Sequence, residues 1–336
     1  MASGRDGQIV VVLPRVLPDD YFTAVQAVSP RVRVVPIGDD EPLPPVVADA
    51  DVFYRSWAIR RATVEAVLNA ATHLRWLHVP SAGVDVALSP QVMAGDFTIT
   101  HMVGFYDEPV AEFALTLILA AAKRLPQFVL AQQEPRWAGV RSWDRIGEEN
   151  NLPILLRGKT VGIVGFGGIG RALARQLQPL HVRVLGYRRE PRPDRLAETV
   201  YGPGQLGELL GQSDFVVLAL PLTADTDHMF NAELIAQMKP SAWLVNVARG
   251  RLIDDDALVN ALRQQRIGGA ALDAFAREPL AADHPYWSLP NVILTPHAAG
   301  AFAELAELDQ ASFIGQLRRF LAGRPLQGIV DRTRGY

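Results

Sequence analysis

The stretch VGIVGFGGIGRALARQLQPLHVRVLGY, residues 161–187, constrains this chain more than any other. A β-rich apolar run leads into Gly165, Phe166, Gly167, Gly168, Ile169 and Gly170, a helical pattern follows, and a second apolar run ends at Tyr187. A strand that turns at once into a helix needs glycine for the tight turn. It needs a second where backbone approaches a ligand, and a third where helix and strand pack closely. The helix start presents unsatisfied N–H groups and the positive end of its dipole. Alone, such a loop is a weak signal. With a strand before it, a helix after it and a second strand ending 17 residues beyond Gly170, it predicts a dinucleotide pyrophosphate site.

Where that second strand ends, a carboxylate would accept hydrogen bonds from ribose hydroxyls and repel a 2′-phosphate. This chain has Arg188 and Arg189 there, with Arg192 and Arg195 close behind. Guanidinium groups at this position favour NADP(H) over NAD(H). The alternative is a solvated arginine-rich turn.

From Val161 onward, apolar runs alternate with helical patterns. Strands are expected at Val161–Gly165, Val182–Tyr187, Phe215–Leu220, Trp243–Val247, Gly269–Leu272 and Val292–Thr295, with helices at Ile169–Gln178, Ala232–Met238 and Asp255–Gln264. Nearly continuous Val, Ile, Leu and Ala implies strands buried on both faces, hence a parallel, doubly wound sheet. Earlier, Ile9–Leu13, Val32–Ile37, Asp51–Tyr54 and Trp76–Val79 read as strands and Thr63–Ala70 as a helix. Pro109–Lys123 is a strong helix whose apolar residues exceed one face, which predicts burial on several sides, a second subunit included. Glu304–Leu321 is expected to return to the first domain. Gln133–Gly158, with Trp137 and Trp143, resists assignment.

A length of 336 residues exceeds one ordinary core, so the expected fold class is α/β with two domains. The net charge of −3 offers no general attraction to nucleic acid or an anionic membrane. The absence of cysteine excludes disulfides, thiolate metal sites and cysteine nucleophiles. The apolar stretch near the N-terminus is too short for a signal peptide, and Val110–Ala122 falls well short of a membrane span. A soluble cytoplasmic protein is the economical expectation.

In an open parallel sheet, chemistry gathers beyond the carboxyl ends of the strands. Arg249, Glu278 and His297 follow the fourth, fifth and sixth strands of the cofactor-type half. With the usual order, strands four to six would lie side by side next to strand one. Each residue alone has an ordinary explanation in a surface loop or turn. Together they supply an acid/base, a carboxylate to hold it and a cation for an oxyanion, which is what carbonyl reduction requires.

The stretches LRGKTVGIVGFGGIGRALA, ALPLTADTDHMFN, LVNVARGRLIDDDAL, GAALDAFAREPL and NVILTPHAAGA closely resemble D-isomer-specific 2-hydroxyacid dehydrogenases. The spacing from Arg249 to Glu278 is 29 residues and from Glu278 to His297 it is 19. The resemblance runs from about Trp76 to near the C-terminus. It implies two Rossmann-like domains: a smaller flavodoxin-like substrate domain, residues 1–102 completed by 299–336, and an NAD(P)-binding domain, residues 103–298. It also implies a homodimer through the Pro109–Lys123 region.

By the same resemblance, His297 is the proton donor in reduction, Glu278 its partner, and Arg249 grips and polarises a 2-oxo acid. Asp273 lies near the nicotinamide, and Pro221, Thr226 and Ala248 line the cofactor. The loop Ser81–Asp85 offers the N–H groups of Gly83 and Val84 to the substrate carboxylate. Among family members the chain is most like glyoxylate/hydroxypyruvate reductases. Arg251 stands where small residues are frequent, which leaves the mouth of the site open. Three alternatives remain at this level: phosphoglycerate oxidation, for which Arg55, Arg60 and Arg61 offer cations, phosphite oxidation, and a nucleotide-sensing regulator on the same fold.

Overall fold

The computed structural model describes residues 7–133 and 152–336; Trp137 and Trp143 lie outside them. The chain divides into two units, one of residues 7–106 with Phe302–Tyr336 and one of Asp107–Ala301.

In the first unit the strands are β1 (Ile9–Pro14), β2 (Val32–Ile37), β3 (Ala50–Tyr54), β4 (Trp76–Val79) and β5 (Thr98–His101). They form one parallel sheet in the order β2-β1-β3-β4-β5, the flavodoxin-like arrangement. Helices α1 (Asp19–Gln26), α2 (Arg61–Ala70) and α3 (Pro90–Ala94) connect them. Residues β1, β3 and β4 contribute to both faces are buried, and a core lies on each side of the sheet. The sequence pattern missed β5, whose TITH is short and half polar, and α1, which ends without a cap signal.

The second unit begins with α4 (Asp107–Ala122) and α5 (Leu125–Gln133), followed by β6 (Thr160–Val164), α6 (Gly168–Leu177), β7 (Arg183–Tyr187) and β8 (Thr199–Tyr201). Then come α7 (Leu206–Gln212), β9 (Phe215–Leu218), α8 (Ala232–Ile235), β10 (Trp243–Asn246), α9 (Asp255–Arg263), β11 (Gly269–Leu272) and β12 (Val292–Leu294). All seven strands are parallel, in the order β12-β11-β10-β9-β6-β7-β8. One expectation is corrected here. The strand beside β6 is β9, not Trp243–Asn246, because the short edge strand β8 escaped the count. The block β10-β11-β12 still lies side by side, and its register aligns Asn246 with Leu272 and Leu272 with Leu294.

Among the described residues no single helix is long and apolar enough to cross a membrane. Helices α4 and α5 pass that test only as a pair, and they bend by 68°. Helix α4 buries Val110, Ala111, Ala114, Leu117, Ile118, Ala121 and Ala122, packing on α6 and β10.

The last helix, α10 (Leu305–Leu321), belongs to the first unit. Phe313 and Leu317 enter its core, and Asp309 Oδ2 accepts hydrogen bonds from the Tyr54 and Tyr21 hydroxyls at 2.6 and 3.1 Å. Aromatic packing and this three-way polar contact together fasten the C-terminal helix to strands laid down early in the chain.

Close by, His78 on β4 makes the first unit sensitive to acid. It is 1% exposed, with Nδ1 2.9 Å from Thr100 Oγ1. Burial, with His101 as a second cause, pushes its pKa down to about 3. The unfolded chain binds this proton below about pH 6.5, whereas the folded chain resists it. The stability it contributes is therefore complete above about pH 6.5 and falls toward pH 3, by at most about 1.4 kcal/mol per pH unit. His78→Asn removes this titration. Its thermal midpoint relative to the parent should rise as pH drops from about 7 to about 5; a constant difference contradicts the account.

Candidate active site

Gly165 has φ +102, and a Cβ there would sit 2.3 Å from the Ala219 carbonyl oxygen. A Cβ at Gly170 would lie 2.4 Å from the Gly165 oxygen, whereas one at Gly167 would meet nothing within 4 Å. So two glycines permit close packing and a third leaves open space at the start of α6. No side chain caps that start, and Gly167 and Gly168 are exposed, with Ile169 half-buried. A helix start left uncapped by any side chain suits a pyrophosphate, so the residues present fit a dinucleotide.

Beyond β7, the Arg188 N–H donates to the Tyr201 carbonyl at 3.1 Å and its side chain is half-buried; Arg189 is exposed. The same loop contains a carboxylate that sequence reading passed over. Asp194 has a nearly buried side chain, accepts the Leu196 N–H, and pairs with Arg171 on the first turns of α6. Coming seven residues after the strand end, it gave no local signal.

After β9, the Thr226 hydroxyl donates to the Pro221 carbonyl at 2.9 Å and accepts the Thr223 N–H at 2.8 Å, which ties the loop to itself. Arg251 pairs with Asp227 of this loop. After β10, the buried Asn246 side chain accepts the Ala248 N–H at 3.0 Å and donates to the Arg249 carbonyl at 2.9 Å. That closes the turn carrying Arg249, whose Nη1 donates to the Ala248 carbonyl. Gly250 presses on the next loop: a Cβ there would fall 1.8 Å from the Phe275 carbonyl carbon. Backbone contact of this kind tolerates no side chain, and it holds the Arg249 turn against the loop leading to Glu278.

Glu278 Oε2 lies 2.8 Å from His297 Nδ1, and Oε1 accepts the Phe275 N–H at 2.9 Å. The carboxylate thus fixes Nδ1–H as the donor and turns Nε2 outward as the working nitrogen. His297 has φ +53, in the left-handed region that few side chains adopt. Asp273, 1% exposed at the end of β11, explains how this turn is held. Its Oδ1 accepts the Thr295 hydroxyl at 2.6 Å and the Ala298 N–H at 2.8 Å, and its Oδ2 accepts the Ala299 N–H at 2.9 Å. Those three donors bracket His297. Nothing in the sequence signals this, since the partners are 22 to 26 residues away.

Arg249, Glu278 and His297 therefore follow three adjacent strands at one sheet edge. Gly83 and Val84 belong to the other unit, after β4. There the Ser81 hydroxyl donates to the Gly83 carbonyl at 2.6 Å, and His101 Nδ1 lies 2.8 Å from the Ala82 carbonyl. His101 is a support for this loop that the sequence did not suggest.

Known proteins match this arrangement. Residues 115–299, more than half the chain, match the model of the D-isomer specific 2-hydroxyacid dehydrogenase NAD binding domain. A glyoxylate reductase from Thermofilum pendens is 37% identical over 75% of this chain and 74% of its own length. A D-isomer specific 2-hydroxyacid dehydrogenase from Xanthobacter autotrophicus Py2, solved with NADPH and MES, superposes with a TM-score of 0.81 at 29% identity, covering 98% of this chain and 99% of its own. An NADPH-dependent glyoxylate/hydroxypyruvate reductase from Sinorhizobium meliloti, solved with NADP and sulfate, gives 0.78 at 26% identity, covering 98% and 100%. With a glycine loop suited to a dinucleotide, and a carboxylate-held histidine and an arginine that follow adjacent strands of the same sheet, the chain belongs to the D-isomer-specific 2-hydroxyacid dehydrogenase family, as an NAD(P)-dependent oxidoreductase resembling glyoxylate/hydroxypyruvate reductases.

Proposed function

We propose that the protein reduces 2-oxo acids such as glyoxylate and hydroxypyruvate to D-2-hydroxy acids, preferring NADPH to NADH. The observation that carries this is the His297–Glu278 contact, locked by Asp273 and flanked by the Arg249 turn. The Gly165–Gly170 loop would hold the pyrophosphate of a nicotinamide dinucleotide, which would supply the hydride that the carbonyl carbon accepts. His297 Nε2 delivers one proton to the carbonyl oxygen, completing the hydroxyl. Glu278 orients the ring and balances the charge it carries before that transfer. Arg249 neutralises negative charge on the carbonyl oxygen and the carboxylate, a planar fork being suited to both. In the first unit, the family resemblance assigns the backbone N–H groups of Gly83 and Val84 to a substrate carboxylate. Asp273 acts through the histidine turn, as a positioning residue.

Arg188 and Arg189 support the NADPH preference, and the two solved relatives above carry NADPH or NADP by their own descriptions. The phosphoglycerate reading needs free cations for a second anion. Arg60 pairs with Asp39 and Asp40, Arg61 with Glu65, and Arg55 Nη2 donates to the Val86 carbonyl at 3.4 Å. Arg55 also keeps a buried Nε without a hydrogen-bond partner among the described residues, so the phosphoglycerate reading is tested directly, by including 3-phosphohydroxypyruvate in the substrate panel.

The region expected at a dimer contact, residues 109–123, packs as α4 on α6 and β10; the apolar surface left exposed next to it in the chain is Leu125, Val129 and Leu130 on α5, with Leu155. A second copy of the chain is the proposed cover, giving a cytoplasmic homodimer. Light scattering at the mass of one chain removes the dimer. Turnover of a panel of 2-oxo acids with NADPH and NADH tests the activity, and no turnover of any of them sinks it.

A further inference from the structure

Asp107 opens α4, and its carboxylate lies against Gly168 in the first turn of α6, inside the second unit. A Cβ on Gly168 would overlap both carboxylate oxygens, so the glycine leaves the carboxylate its place. An acidic residue in the first turn of a helix is ordinary, since the dipole favours it, and Glu108 is another. Asp107 differs in lacking partners. Glu108 takes the neighbouring donors of α6, Arg175 Nη2 at 2.6 Å and Gln176 Nε2 at 3.2 Å. Arg171, the other arginine of α6, pairs with Asp194. Glu112, five residues on, is exposed on another side of α4. The remaining elements packed on α4 are α5, β10 and β11, and none contains a charged or titratable residue. Among the described residues neither Asp107 oxygen accepts a hydrogen bond. Partial burial, and then the charge of Glu108, holds this carboxyl above its ordinary range, with Arg175 opposing.

We propose that Asp107 links cofactor binding to a proton: its carboxyl takes up one proton from solvent when the α6 start receives a pyrophosphate, so the dinucleotide binds more tightly as pH falls. This rests on the cofactor reading of the Gly165–Gly170 loop. That reading places a pyrophosphate at the same helix start, where it brings a second anion to an uncompensated carboxylate. A carboxylate can only repel a phosphate oxygen, whereas a neutral carboxyl can donate its O–H to one. The phosphate charge therefore raises the proton affinity of Asp107 beyond what burial already does. The sign is fixed by linkage. Between the pKa values of Asp107 in the free and the loaded protein, affinity falls by up to about tenfold per pH unit as pH rises. Above both values the carboxylate opposes binding in full, and below both it no longer does.

The test measures the dissociation constant of oxidised NADP by calorimetry, from about pH 5.5 to about pH 8.5, for the parent and Asp107→Asn. Asparagine keeps the shape and has no hydrogen bond to lose, so the fold is not at risk. Every other titrating group, the 2′-phosphate included, is common to both proteins, and their ratio isolates Asp107. At the upper pH the variant should bind about tenfold more tightly or more, and this advantage should shrink as pH falls. In buffers of different ionisation enthalpy, the parent should take up more protons on binding than the variant. Asp107→Ser, a second neutral side chain, should behave as the asparagine does. Weaker binding by both variants at the upper pH overturns the proposal. So does a parent-to-variant ratio constant with pH, or equal proton uptake, since the carboxylate would then swing clear without protonation. Each of these leaves the cofactor reading standing. No binding of NADP by the parent at any pH removes that reading, and this proposal with it.

Discussion

His297→Asn should lower turnover by roughly two to four orders of magnitude, the usual weight of a positioned acid/base. The variant suits the question because asparagine tolerates the left-handed backbone that His297 adopts at φ +53. Its amide can still donate to Glu278, and the three donors to Asp273 come from Thr295, Ala298 and Ala299, so the turn survives. What disappears is the imidazole Nε2 that carries the transferred proton. NADPH affinity, measured by calorimetry, and the thermal midpoint should stay close to the parent values. Near-normal turnover would place the proton donor elsewhere. Loss of NADPH binding along with activity would instead mean that the substitution had disturbed the domain.

Arg188→Asp should reverse the cofactor preference, or nearly so. If Arg188 and Arg189 hold the 2′-phosphate, the parent should use NADPH more efficiently than NADH by about tenfold or more, as charge-assisted hydrogen bonds to phosphate imply. Water and salt reach this loop, so high ionic strength should narrow the gap. The introduced carboxylate repels the phosphate and accepts from the ribose hydroxyls of NADH. Turnover at saturating cofactor should change little, because Arg249, Glu278 and His297 are untouched. Ratios of kcat/KM for the two cofactors, at low and high salt, decide the matter. Equal efficiency in the parent enzyme would make these arginines a solvated turn.

The elements that were legible in the sequence are the ones with strong local signals. Strands β1 to β4, β6, β7 and β9 to β12 are apolar runs, and the helices after β6 and β10 have capping or glycine signals at their starts. The missed strands lack such signals. Strand β8 is three residues at a sheet edge, with Thr199 exposed, and its omission displaced the expected neighbour of β6. Arg251 looked like a candidate for the mouth of the site. The structure commits it to Asp227, an ion pair that spacing along the chain could not suggest.

Glycine placement, apolar periodicity and the residues that follow strand ends are local properties, so sequence by itself determined a parallel α/β chain with a strand–glycine–helix turn, and it singled out Arg249, Glu278 and His297 as candidates. Only the tertiary structure decided what each group touches. Asp273 carries the His297 turn, Gly250 presses on the 275–276 backbone, and Arg60 and Arg61 pair with Asp40 and Glu65. These contacts depend on strand order and register. Order and register follow from burying side chains far apart in the sequence, an energy shared over the whole sheet that no short stretch encodes.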